Sequence, residues 1–489
     1  MKEHTVTMTE GRLTKNIILF SLPLVLSNIL QVLFNLSDIA VVGRFAGKEA
    51  LGAVGSCTIL VSLFTGLLIG MGGGINSIAA RYIGAGDRAR LRRVAHSALL
   101  ISLLYGVIIM AGGIAATRPL LRLLDTKEEL LTEAELYLRV YLIGTPALAI
   151  YNYGNGLLGA AGDSKRPLWY LSAAGVLNIA LNLFFVIVCR WSVLGVAVAS
   201  VASQYVSAAC ILVRVFTCRE NYRVRFREMR LDRSASASVL MLGIPAGLQN
   251  AIFAVANLFI QTAVNSFDTL MVEGNSAAAN ADALVYDMMA AFYMACTAFM
   301  AQNYGAKKRD RVLKSYGICL SLSFGFALLF GVFLFFGGRQ FLSLFTTDAA
   351  VIDAGMKRLR IMAFSYCISA FMDCTIAASR GLGKTIVPTI VVISGSCLFR
   401  ILWVYTIFAH FHTIPSLYLL YVCSWTLTAI GEIIYFLYVI RCALPRDGTP
   451  DTEKAEVQPV MEITEVQPSM EITEAQPSME TPATVTAAE

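Results

Sequence analysis

Asn28, Gln31, Asn35 and Asp38 lie three, four and three residues apart in the otherwise apolar run "SNILQVLFNLSDIAVVGRFAG", Ser27 to Gly47. At about 100° per residue, this spacing sets all four on one narrow helical face. An ionised carboxylate at the centre of a membrane helix costs about 2.5–3.5 kcal/mol even on the insertion scale. Asp38 is therefore expected to face protein or a water-filled cavity. Two readings are open: a solvated structural aspartate near the helix end, or an acid that binds a transported cation or proton. Asn178 and Asn182 stand at i and i+4 in "VLNIALNLFF", and Ser200 and Gln204 share a face in "VAVASVASQY". Amide and hydroxyl oxygens can ligate Na+ without adding charge, or support a carboxylate that takes up a proton. The same amides also bond helix to helix, which is their structural reading.

The second half of the chain carries a matching stripe without the acid: Asn250, Asn257, Gln261 and Asn265, at intervals of 7, 4 and 4. Its intramembrane acids are Asp282, Asp287 and Asp373. Arg400 is expected to pair with one of them or to contact substrate, because intramembrane charges need partners. Asp38, Asn178, Asn182 and Ser200 are the candidates for cation coupling. Gln31, Asn35, Asn257, Gln261, Asp287, Asp373 and Arg400 are the candidates for lining a substrate cavity. Other chemistry is not indicated. "GMGGGIN" (70–76) lacks the lysine of a phosphate loop and reads as a flexible or close-packed helix end. The 4 histidines form no cluster within a span, and the 11 cysteines are scattered singly. No metal site, disulfide framework or cofactor is expected, beyond a transported Na+. Met288, Met289, Met294 and Met300, with neighbouring aromatics, make the eighth span soft, as packing or an adaptable cavity wall would require.

These residues need helices to hold them, and the composition supplies helices of one kind. The 489 residues are 57% hydrophobic and 15% charged, with a mean hydropathy of +0.66. Soluble domains are about 25% charged. Long apolar runs recur at 17–40, 50–74, 94–116, 134–158, 168–188, 193–216, 238–265, 276–301, 313–337, 357–380, 386–409 and 416–440. Each can cross a hydrocarbon core of about 30 Å, so the expected fold is an all-α integral membrane protein of twelve helices. The first twenty residues show no small-residue cleavage site, so no cleaved signal peptide is expected. Arginine and lysine crowd every second loop, around 81–93, 165–166, 219–233 and 307–311, and nearly avoid 266–275 and 409–416. By the positive-inside rule both termini are cytoplasmic, and the basic surplus marks orientation rather than nucleic-acid binding.

The chain also repeats itself. "YIGAGDRARLRR" (82–93) returns as "NYGAKKRDRVLK" (303–314), and "AAGDSKRP" (160–167) as "GLGKTIVP" (381–388), both at an offset of 221. "SLPLVLSN" (21–28) returns as "GIPAGLQN" (243–250), one residue further on. Two parallel six-helix lobes follow, related by a pseudo-two-fold along the membrane normal, an arrangement found in transporters. The expected organisation is a first lobe at 1–216, a basic cytoplasmic linker at 217–237, a second lobe at 238–442 and a tail at 443–489. From Asp451 onward there are 9 acidic residues and 1 lysine, in a repeat rich in Gln, Pro, Glu and Thr. That composition predicts a disordered tail dispensable for transport.

The first span followed by "EALGAVG" resembles the opening of the multidrug and toxic compound extrusion (MATE) transporters. So do "GDSKRP", "LNIALN", "MAQNYGA" and "SRGLGKTIVP", and the resemblance covers about residues 11–442. It implies a two-lobe exporter driven by inward H+ or Na+, in which Asp38, Asn178 and Ser200 match the amino-lobe cation site. Three positions depart from the pattern. Asn182 stands where many members have a second aspartate, Gly159 replaces an arginine that Arg380 keeps in the second half, and Phe253 stands near the glutamate of one subfamily. The expected protein is a monomeric, multi-pass plasma-membrane antiporter of small amphipathic or cationic organic compounds, in contact with lipid and not an enzyme. A lipid-linked saccharide flippase of the same superfamily is the alternative, and an integral-membrane enzyme a remoter one. One carboxylate among amides permits either ion. A single charge offsets the dehydration of Na+ less well, which favours H+.

Overall fold

The computed structural model describes residues 5–443, so the acidic repeat expected to be disordered lies outside the described residues. Among the described residues, eleven helices are long and apolar enough to cross a membrane. In chain order they are α1 (Leu13–Ala46), α2 (Lys48–Ala85), α3 (Arg88–Leu123), α5 (Lys165–Val188), α6 (Ser192–Thr217) and α7 (Arg233–Val264). There follow α8 (Thr269–Gly305), α9 (Arg309–Leu342), α10 (Ala349–Gly381), α11 (Ile386–Phe411) and α12 (Ile414–Ala443). Between α3 and α5, α4 runs in two segments, Glu128–Ile143 and Thr145–Ala160, which makes twelve. The break falls at Gly144, just before Pro146. A side chain at 144 would collide with Gln204, whose Oε1 lies 2.0 Å from the place of the missing Cβ.

Helices are what a bilayer permits, because each backbone polar group must be satisfied within its own segment. Most helices run past the expected spans, and polar caps support several of the extensions. Asp87, Asp232, Asp268 and Asp348 each accept a backbone N–H from the first turn of α3, α7, α8 and α10, at 2.8, 2.8, 3.0 and 2.8 Å.

The repeat has a spatial meaning. α1–α6 and α7–α12 form two six-helix halves, with α2 packed on α7 and α8, and α1 on α8. The matched glycines Gly84 and Gly305 meet at the basic-loop end. A Cβ on Gly84 would lie 1.9 Å from the Gln302 carbonyl oxygen, and one on Gly305 2.0 Å from that of Arg81. The other matched pair, Gly162 and Gly383, turns the chain with φ of +83° and +80°, which favours glycine. The "GMGGGIN" stretch is not a helix end. It lies within α2, where Gly70 and Gly74 let the α7 backbone at Gly247 and Gly243 approach closely.

Side-chain bonds join the halves from this end to the middle of α2 and α7. Ser77 donates to the Arg380 carbonyl at 2.6 Å, Gln302 to that of Ala160 at 2.6 Å, and Asn250 to that of Gly66 at 3.1 Å. The segment before α1 straps across both halves. Val6 N–H donates to the Gly162 carbonyl at 2.9 Å. Asn303, Lys308 and Arg311 donate to the carbonyls of Met8, Thr9 and Gly11 at 3.2, 2.9 and 3.0 Å, and Met8 is buried.

Gly305→Ala is expected to force α2 and α8 apart and destabilise the protein by about 1–3 kcal/mol, the usual cost of overpacking. Gly317→Ala on α9, where an added Cβ would meet nothing within 4 Å, is the control. Thermal unfolding in detergent should separate the two, and equal midpoints would refute the close contact.

Candidate functional site

Three helices bring the expected cation-coupling residues together. Asp38 lies toward the end of α1 away from the basic loops. Asn178 and Asn182 present one face of α5, and Ser200 lies on α6. Asn182 Nδ2 donates to Asp38 Oδ1 at 2.5 Å and to Asn178 Oδ1 at 3.2 Å. Ser200 Oγ donates to Asp38 Oδ2 at 3.4 Å and accepts from Asn178 Nδ2 at 3.4 Å. Both carboxylate oxygens thus meet a donor, as a carboxylate removed from bulk water requires. Asn178, Asn182 and Ser200 are buried and Asp38 is half-buried, so the acid sits at the edge of a protein-lined site.

Local backbone geometry shapes this edge. α1 widens into a π turn over Val42–Ala46, starting one turn after Asp38, and α5 over Phe184–Val188, starting two residues after Asn182. Such turns take up an extra residue and are frequent at functional sites. Phe34 of α1 packs where Gly175 of α5 has no side chain, with ring carbons 1.9 Å from the missing Cβ, which seats the two helices together. Tyr137 and Tyr141 of α4 stack with centroids 6.1 Å apart and lie within electrostatic range of Asp38. Sequence reasoning missed these tyrosines, because only the fold brings α4 to α1. Gln204, which shares a face with Ser200, fills the notch at Gly144.

The expected cavity residues are held in several different ways. Gln31, Asn35 and Asn257 are exposed, and Gln261 donates to Asn265 at 2.9 Å. Asn28 donates to the backbone carbonyl of Asp287 at 2.5 Å, linking α1 to α8 across the halves. Asp373 is buried on α10 and accepts from Ser369 at 3.1 Å. Arg400 is 2% exposed, and the expectation of a carboxylate partner needs correction. Among the described residues no carboxylate forms an ion pair with it. Its Nε donates to Ser424 at 3.1 Å, and its guanidinium lies over Phe253, Tyr421 and Trp425 at 5.7, 4.6 and 5.6 Å. Three ring faces supply the negative potential that a carboxylate would otherwise supply. π turns at Ile393–Leu398 and Val404–Phe408 flank it.

Asp282 has a structural partner. It pairs with Arg358 and accepts from Tyr366, while Asn275 accepts from Arg358 and from Tyr418, the latter at 2.8 Å. Arg358 lies at the start of the expected tenth span, where a sequence reading places it at the interface. Glu432 on α12 was also missed. It is wholly buried, its oxygens meet no donor among the described residues, and it lies within electrostatic range of Asp373 and Arg380. Being the sole acid within 416–440, it was legible by the same rule that singled out Asp38. Arg380 itself donates to Gln249 of α7 at 2.9 Å. No group of three or more His, Cys, Asp or Glu residues suited to a metal ion occurs among the described residues.

Comparison with known proteins places this geometry. The MatE family model matches residues 23–184 and again 245–406, one match in each half. The probable multidrug resistance protein YpnP of Bacillus subtilis is 29% identical over 359 residues, 73% of this chain and 80% of the relative. YoeA of the same organism, also described as a probable multidrug resistance protein, is 27% identical over 384 residues, 76% of this chain and 82% of the relative. A multidrug resistance MATE family transporter of the MOP superfamily, solved in an outward-facing conformation, superposes with a TM-score of 0.84 at 25% identity. That likeness spans 91% of this chain and all of the other. Twelve helices in two repeated halves, each half matched by the same family model, make this chain a member of the MatE family, the multidrug and toxic compound extrusion transporters.

Proposed function

We propose that the protein is a secondary antiporter that exports amphipathic, often cationic organic compounds by alternating access, driven by H+ or Na+ entering through the Asp38 site. The observation that carries this reading is an intramembrane carboxylate held at both oxygens by neutral side chains from two other helices. Asp38 is on α1, whereas its partners are on α5 and α6. A proton added to Oδ1 would put a hydroxyl against the Asn182 amide donor, and that contact would have to break. One added to Oδ2 would require the Ser200 hydroxyl to turn and accept. Either way, occupancy changes how α1 is tied to α5 and α6. Such a state-dependent contact is what couples an ion to a conformational change.

The donor pattern favours the proton. Asn182 Nδ2 already faces the carboxylate, and its Oδ1 is buried without a donor. Na+ would need this amide turned by half a rotation, so that its oxygen joins those of Asp38, Asn178 and Ser200. With the basic loops on the cytoplasmic side, both termini are cytoplasmic and the halves are joined at their inner ends, an outward-facing arrangement in the plasma membrane. The protein works as a monomer on small organic cargo, with lipid around it and no nucleic-acid partner. A saccharide flippase is less well supported, because Arg400 is enclosed by aromatic rings rather than open to a pyrophosphate.

Asp38→Asn keeps the shape and removes the charge, and should abolish coupled export with normal insertion. Wild-type drug resistance in cells holding equal amounts of the variant would refute the assignment. The ion is separated in proteoliposomes. Efflux under an imposed pH gradient without Na+ is expected, and silence there, with export restored by Na+ alone, would assign Na+ instead. Asn182→Ala gives an independent check. Were Na+ the ion, half-maximal export should need about 10–100-fold more Na+, the usual cost of weakening a metal site. Under proton coupling, the variant should keep export at every Na+ concentration.

A further inference from the structure

A cavity of about 460 Å3 opens beside the amino-terminal strap, with Val6, Thr7 and Arg12 of the strap on one side, Lys15 and Leu19 of α1 on another, and Lys165 at the start of α5. Three cationic side chains line it and no acidic one does. None of the three forms an ion pair with a carboxylate among the described residues, although the neighbouring Asp163 and Arg166 pair with each other. Asn16 holds the cavity's shape, donating to the Thr7 and Glu10 carbonyls at 2.6 and 3.0 Å. One turn deeper along each helix the surface becomes apolar and open. Leu19, four residues after Lys15, is 45% exposed, and Trp169, four residues after Lys165, is 70% exposed. Four helical residues rise about 6 Å, so cations stand at headgroup level above an acyl-facing leucine and an interfacial tryptophan.

We propose that this cavity binds the phosphate of an anionic phospholipid from the leaflet at the basic-loop end, its acyl chains running past Leu19 and Trp169. Basic pockets between membrane helices are suited to such headgroups. The bound phosphate bridges α1 to α5 and fixes the strap that joins the two halves. The apolar rim distinguishes a lipid from a free anion, which would gain nothing from it.

The test uses the full-length protein in nanodiscs of phosphatidylglycerol or phosphatidylcholine, and native mass spectrometry of the lipid it retains. It needs neither a transport substrate nor a coupling ion, so its outcome is independent of the exporter reading. Phosphatidylglycerol should be retained preferentially. Arg12→Ala/Lys15→Ala/Lys165→Ala should weaken retention about 5-fold per charge, the equivalent of about 1 kcal/mol for each basic residue at an anionic surface. Lys15→Arg/Lys165→Arg should keep it, as should removal of three exposed arginines from the linker at Arg219, Arg227 and Arg233. Amide hydrogen exchange over residues 5–16 should slow in phosphatidylglycerol for the wild type and not for the alanine variant. Equal retention of both lipids would overturn the proposal. So would equal loss in the linker variant, or the same slowing of exchange by inorganic phosphate in phosphatidylcholine nanodiscs, which would mark a free-anion site.

Discussion

A bilayer interior offers no water, so every polar group carried into it must find its partner in the protein. The rest of the structure depends on that constraint. It imposes helices throughout the described chain, and it decides where polar side chains can stand. Asp38 is tolerated because Asn182 and Ser200 reach both of its oxygens. Asp282 is tolerated because Arg358 and Tyr366 do the same on the other half. Arg400 meets the demand without an acid, through one hydroxyl and three aromatic faces.

The halves are joined differently. Their contact is made largely by backbone against backbone, at glycines where no side chain intervenes, and by a strap whose carbonyls accept from side chains of the opposite half. Apolar side chains cross as well: Leu13, Ile17, Phe20 and Leu24 of α1 pack into the core of the second half, with Phe20 edge-on to Phe299, and Val239 and Leu242 of α7 pack into that of the first.

The spans, the duplication and the Asp38 quartet were legible in the sequence because each rests on local spacing. A polar residue every three or four positions in an apolar run can be read from the run alone. The Arg358–Asp282 pair was not, since its members stand 76 residues apart and only the fold makes them neighbours. The aromatic box around Arg400 draws on three helices and has no spacing to reveal it. The glycine-rich stretch of α2 was legible as close packing, but its place within the helix was not, because glycine there serves contact with α7 rather than termination. Gln204 shares a face with Ser200 in the sequence, but that it fills the notch in α4 is visible only in the fold.

The duplicated motifs slip by one residue between Asn28 and Gly84 of the first half and their counterparts Asn250 and Gly305. α2 and α8 begin in step, at Lys48 and Thr269, so the surplus residue belongs to the stretch from Asn28 to Lys48. That stretch contains the π turn at Val42–Ala46, for which α7 has no equivalent. By contrast, the π turn of α5 at Phe184–Val188 has its counterpart in α11 at Val404–Phe408. The first half therefore carries one residue more than the second in the stretch that holds Asp38 and its π turn. The position equivalent to Asp38 in the second half is Ile260. At this place the two halves differ by one residue of length and by one charge.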